Sequence, residues 1–270
     1  MKKAYSSILP KKFLFVFVLF CLQCINAQKA NNELHGYYEE KGSETFYKSF
    51  SFDGNGKVMI GGMDYGDYFT RNDSIVIYPD KSIFILKINK GQLKGISSWV
   101  EKGVWVPRKD TIVANHRTDS GKAQKKAELL AEYFDKTKKS NDFEVLFSDE
   151  FSKMNEGLCN KGLAKACMNL FGIKMLQYTP GVLSSPDKIA SKKIKPHPEL
   201  IALSSKIISL GEPEGYTVLG SYYYTLGLRD KAFQTWDEGE KNGSIKSGTT
   251  KAMIEFEEEL NAEVKDSGKE

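Results

Sequence analysis

Cys159 and Cys167 stand eight positions apart in "GLCNKGLAKACMNL" (157–170), in a chain of 270 residues with four cysteines. Such a pair can form part of a metal site, cycle as a redox couple, or staple two structural elements. A metal site needs about four ligands at suitable spacing, and His35, His116 and His197 are isolated and not near the pair in sequence. A redox couple favours Cys-x-x-Cys. Spacing alone leaves the three readings open.

No catalytic signature is present: there is no G-x-S-x-G elbow, no H-E-x-x-H helix and no phosphate loop. "DGNGK" (53–57) begins like a calcium loop. Lys57 and Val58 then stand where a further ligand and a glycine belong, so the stretch reads as a turn. Asp64 and Asp67 in "GMDYGDY" could pair as carboxylates, but a polar glycine-rich connection accounts for them. "SKKIK" (191–195) could meet an acidic partner and is more simply a solvated insertion. The expectation is no enzyme, no metal and no cofactor.

The aromatics are a better lead. Tyr222, Tyr223 and Tyr224 are consecutive on a helical stretch and cannot all face one core. With Tyr223 inward, Tyr222 and Tyr224 project to other sides and, with Arg229, are candidate partner contacts. Partial burial against a neighbouring helix is the alternative.

The elements that carry these residues begin after a leader. Lys2, Lys3, Lys11 and Lys12 precede the apolar run from Phe13 to Leu22, and "QCINAQ" follows. This pattern predicts a secretory signal peptide cleaved after Ala27. The run is too short to span about 30 Å of hydrocarbon. Lipid anchoring through Cys24 is a minor alternative, because Gln23 precedes it where a small residue is wanted. The leader's four lysines reduce 39 basic residues to 35, equal to the 35 acidic ones. A neutral mature chain gives no reason to expect nucleic acid or anionic membrane as partner, and no other stretch is apolar enough to insert stably. Cys21 and Cys24 leave with the leader, and an even pair in an exported chain is normally oxidised.

Residues 28–118 read as a β-rich domain. Strand-like runs rich in Phe, Tyr, Ile and Val alternate with Gly, Asp and Asn, and "DGNG" (53–56) is a hairpin signal. Short connections force antiparallel neighbours, so six to eight strands should form a meander curled into a small barrel or half-barrel. Residues 108–120 read as a final short strand and a linker. From 119 to 265 the apolar period is helical, and 266–270 should fray. The fold class is α+β: a β-meander, then helical hairpins.

Three segments of the second half align on Gly162, Gly211 and Gly243, with Ala166, Gly215 and Ser247 four residues beyond each. The last two glycines are 32 residues apart, close to the ~34-residue period of helical-hairpin solenoids. The first two are 49 apart, the excess matching "LSSPDKIASKKIKPHPE". "GEPEGYTVLGSYYYTLGLRDKAFQTWDEGEKNGSIKSG" resembles Sel-one-like repeats, relatives of the tetratricopeptide repeat, and "GLAKACMNL" does so less fully. The matching positions are Gly215, Tyr216, Leu219, Gly220, Tyr223, Lys231, Ala232, Trp236 and Gly243. The resemblance covers about a third of the chain and none of the strand-rich half.

Cysteine-rich secreted members of that family carry Cys-x7-Cys, which joins the end of one helix to the start of the next. The resemblance therefore implies a Cys159–Cys167 disulfide. An antiparallel helix pair with a short turn would also bring the two within bonding reach, stabilising by about 2.5 kcal/mol. The resulting expectation is an exported, periplasmic or secreted, non-enzymatic protein that binds a protein or peptide through its helical repeats. The alternative is a β-rich module that binds a small molecule or glycan.

Overall fold

The computed structural model describes residues 30–31, 33–42, 44–62, 64–79, 82–111, 113, 120–138, 148–181 and 194–267. The leader with Cys21 and Cys24, His116, most of the strand-and-linker stretch at 108–120 and most of the polar insertion lie outside these residues. Two compact units divide the chain, 1–136 and 137–270.

In the first unit, eight antiparallel strands form a closed barrel: β1 (His35–Glu40), β2 (Ser49–Asp53), β3 (Lys57–Ile60), β4 (Asp64–Arg71), β5 (Ser74–Tyr78), β6 (Phe84–Asn89), β7 (Gln92–Gly95) and β8 (Val104–Arg108). Each strand pairs with the next, and β8 returns to β1 with Glu40 opposite Trp105 and Tyr37 opposite Arg108. The β6–β7 turn has Lys90 at φ 48° and Gly91 at φ 77°, the backbone that matches hairpin twist. At "DGNG", the Asp53 carboxylate accepts hydrogen bonds from the Asn55 and Lys57 amides, which makes the stretch a turn.

Period-two alternation fills the barrel with its own side chains. Phe50 and Phe52, Val58 and Ile60, Tyr68, Ile75 and Ile77, Phe84 and Leu86, Leu93 and Trp105 form one buried cluster. The rings meet edge to face, Phe50 with Trp105 at 5.0 Å and Phe52 with Tyr68 at 4.9 Å. Trp105 Nε1 donates to the Tyr47 carbonyl at 2.8 Å and Tyr68 Oη to the Leu34 carbonyl at 2.5 Å. These bonds remove the cost of burying the polar tips.

The outward residues of β4 and β5 are covered by helix α1 (Ser120–Thr137). Phe134 meets Phe69 at 6.0 Å and Tyr133 meets Tyr78 at 5.7 Å. Lys126 pairs with Asp67 at 2.6 Å, and Arg71 pairs with Asp135 at 3.0 Å. Nine helical residues and four strand residues both span about 13.5 Å, so the two ion pairs hold helix and strand in one register. This corrects the boundary expected at 118. The helix that the sequence groups with the repeats packs on the barrel, and the unit extends to Lys136.

The second unit is helical: α2 (Asp149–Lys161), α3 (Ala164–Tyr178), α4 (Pro198–Ser209), α5 (Glu214–Thr225), α6 (Arg229–Lys241) and α7 (Ile245–Ser267). Residues 266 and 267 remain helical where fraying is expected. Consecutive helices pack together, and α3 also touches α5, as α5 touches α7. Gly162, Gly211 and Gly243 all end their helices at positive φ, 102°, 86° and 89°, which only glycine adopts without strain. The small residues four positions later let the next helix approach closely. A Cβ on Gly215 would fall 2.9 Å from the Ser204 carbonyl oxygen.

Cys159, at the end of α2, and Cys167, at the start of α3, have sulfurs at bonding distance and Cα atoms 4.7 Å apart. The corresponding positions around the third glycine are Glu240 and Gly248, where an added Cβ would lie 3.2 Å from the carboxyl group. The pair is a staple across a helical hairpin.

Candidate functional site

The three expected contact residues occupy different environments. Tyr222 is buried: its hydroxyl accepts the His197 amide hydrogen at 2.9 Å and its ring meets Phe171 at 6.2 Å. It is therefore a core residue and not a docking anchor. Sequence direction alone placed it outward, whereas α3 and the start of α4 close over it. Burial raises its phenol above the usual range. Tyr223 is buried too, with Lys231 Nζ 4.3 Å from its ring centroid.

Tyr224 and Arg229 do come together, through a residue the sequence did not single out. Glu258 of α7 accepts the Arg229 Nε hydrogen, shared between its two carboxylate oxygens at 3.0 Å each, and one from Nη2 at 2.7 Å. Tyr224 Oη donates to the same carboxylate at 3.4 Å. Hydrogen bonding to Arg229 holds the Glu258 carboxyl below its usual value, and burial, then the Glu258 charge, raises Tyr224. Arg229 also lies 4.0 Å over the Phe233 ring. Both cation and carboxylate are thus spent on tying α5, α6 and α7 together.

A second cluster joins α3 to α4. Tyr178 stacks on His197 with centroids 3.6 Å apart and donates to Glu199, and Lys174 pairs with Glu199 at 2.6 Å. The Lys174 hydrogen bond lowers the Glu199 carboxyl, while hydrogen bonding to Glu199 raises Tyr178. His197 Nδ1 accepts the Glu199 amide hydrogen at 3.3 Å and so caps α4, with Pro198 in the first helical position. His197 is not the exposed loop histidine its flanking prolines suggest. The cluster's polar groups complete one another, which is what a helix junction requires.

Asp67 does not pair with Asp64. Burial alone would raise its carboxyl, but Lys126 and Lys57 hold it well below the usual range. Lys57 Nζ lies 3.0 Å from it. Among the described residues no three of His, Cys, Asp or Glu converge as a metal-binding group, and no helix is long and apolar enough to cross a membrane.

Two exposed apolar patches were not legible as sites. On α7, Met253, Phe256 and Leu260 are 67%, 67% and 50% exposed. Their i, i+3, i+7 spacing was visible, but it ordinarily marks a face turned to the core. On the barrel, Phe46 lies in the β1–β2 connection, with Ile96 and Trp99 in the β7–β8 connection; Phe46 and Trp99 are 81% and 61% exposed. Because β1 pairs with β8, these connections are neighbours at one end of the barrel.

Compared with known proteins, no family model, no curated protein and no solved structure matches this chain.

Proposed function

We propose that the chain is an exported, non-enzymatic binding protein that takes a protein or peptide partner through its helical unit. The observation that carries this reading is the row Met253, Phe256 and Leu260, left in water on α7. Contiguous exposed apolar residues rimmed by polar ones mark interaction surfaces. The turns at Gly162, Gly211 and Gly243 support a Sel-one-like stack, an architecture that recognises partners by surface. The Cys159–Cys167 bond supports an oxidising, periplasmic or secreted setting.

The second reading, a glycan or small ligand on the β unit, draws on Phe46 and Trp99 at the barrel end. The packed interior favours that end over the inside of the barrel. A photo-reactive residue placed at Thr249, beside the α7 row, or at Ile96 tests both readings in the full chain. Cross-linking of a protein from Thr249 is expected. Cross-linking only from Ile96, or quenching of Trp99 fluorescence by an oligosaccharide, would favour the second reading.

A further inference from the structure

Helix α7 faces the opposite way from an ordinary amphipathic surface helix. At 3.6 residues per turn, Met253, Phe256 and Leu260 share about 60° of arc, and Ile245 extends the row along about 22 Å. All four are exposed. The opposite arc, turned to α5 and α6, carries mostly small or polar residues. Ser247 is buried and meets the Thr217 hydroxyl at 2.8 Å; Lys251 pairs with Asp237 at 2.6 Å, and Glu258 holds Arg229. A helix with its polar groups satisfied inside and its largest apolar groups in water has a second interface to fill.

The charges bordering the row specify what fills it. Glu257 lies along one border and Glu259 along the other; both are exposed, and neither takes part in an ion pair among the described residues. A partner must therefore supply apolar groups along its centre and cations along both margins. We infer that the outer face of α7 docks an amphipathic helix of another protein whose apolar stripe is flanked by lysine or arginine. A second copy of α7 would bring four of these carboxylates together, a like-charge contact that disfavours pairing. The chain's own lysine-rich helix, α1, has Tyr133 and Phe134 engaged with Tyr78 and Phe69. The inference deepens the protein-binding reading of the helical unit and rests on it.

The test uses the full chain and labelled synthetic peptides of about 18 residues, five helical turns. One has leucines at i, i+3, i+4 and i+7 with lysines elsewhere; the second replaces lysine with glutamate, and the third scrambles the first. By fluorescence anisotropy, the leucine–lysine peptide should bind at least about tenfold more tightly than either other peptide. Phe256→Asp with Leu260→Asp should remove that binding without altering helicity, since both residues are exposed. Glu257→Lys with Glu259→Lys should reverse the preference toward the leucine–glutamate peptide. Equal binding to the Phe256→Asp/Leu260→Asp chain, absence of the reversal, or a dimer in sedimentation that depends on Phe256 would each overturn the inference. Cross-linking from Thr249 separates the two failures. A native partner captured equally with and without Phe256→Asp/Leu260→Asp ends the inference and leaves the protein-binding reading standing. No capture by the unaltered chain ends that reading.

Discussion

In the barrel every strand has a hydrogen-bonded neighbour on both sides, whereas helix α7 of the helical unit leaves Met253, Phe256 and Leu260 exposed. The barrel uses its large side chains on itself: Phe50, Phe52, Tyr68, Phe84 and Trp105 are all inside. The helices are added one upon the next, and α7 turns its apolar row away from α5 and α6, which it packs against. A closed sheet can offer a partner only its ends and outer wall, and part of that wall is already occupied by α1. A stack of helices exposes a full helical face wherever it stops. The proposed recognition therefore falls on the exposed face of α7.

If the barrel is the self-sufficient region, its interior should be the least tolerant place in the molecule. Trp105→Ala should cost about 3–5 kcal/mol in urea unfolding, followed by near-UV circular dichroism. A cost under about 1 kcal/mol would mean the barrel is looser than its packing indicates. In the helical unit, reducing Cys159–Cys167, or replacing both with Ser, should lower stability by about 2.5 kcal/mol, and intact mass should shift by about two daltons on reduction. No shift would remove the staple from the account.

Asp67 gives a smaller, pH-dependent contrast. Its folded carboxyl titrates below the unfolded value of about 3.9, so its contribution is complete above that pH and is lost as pH falls from there toward the folded value. Asp67→Asn should cost about 1–2 kcal/mol near neutrality. This is less than a fully buried pair would lose, because Lys57 and Lys126 retain 32% and 24% exposure. The variant should also flatten the decline in barrel stability below about pH 4. An unchanged acid limb would show that the two lysines act independently of this carboxylate. Phe256→Ala should have the smallest effect, within about 0.5 kcal/mol, as expected of a surface residue. A larger loss would mean that α7 already has its partner inside the chain.

Much of the first unit was legible because its residues report locally. Phe84 and Leu86 turn inward and Ile85 outward, as period-two alternation requires, and "DGNG" is a turn because its side chains and glycines dictate one. The three glycine turns were legible for the same reason, whereas the cysteine pair was legible through the family resemblance. What escaped depended on distant neighbours. Tyr133 and Phe134 give α1 an apolar face, yet nothing in their spacing says that Tyr78 and Phe69 lie beneath it. The Tyr222–Tyr224 run shows that the rings diverge, but only the His197 amide and Phe171 decide that Tyr222 points inward. Arg229 was singled out as an outward cation because Glu258, 29 residues away, could not be paired with it from sequence. The α7 row escapes a reading of sequence because a helical period does not reveal which side is wet.

The pairing of β1 with β8 also has a kinetic side. Seven of the eight ladders join consecutive strands and need only short-range encounters, which form quickly. The eighth brings residues 35–40 to residues 104–108, the longest loop closure of the eight, so the ring is expected to shut last. A chain emerging amino end first holds β1 with one bare edge throughout that wait, the moment at which a strand is most prone to pair with the wrong molecule. Glu39 and Glu40 sit on the waiting strand as charges that discourage such pairing, and Glu39 meets Arg108 when β8 arrives. Trp105, carried by the arriving strand, would report ring closure as a late fluorescence phase in refolding.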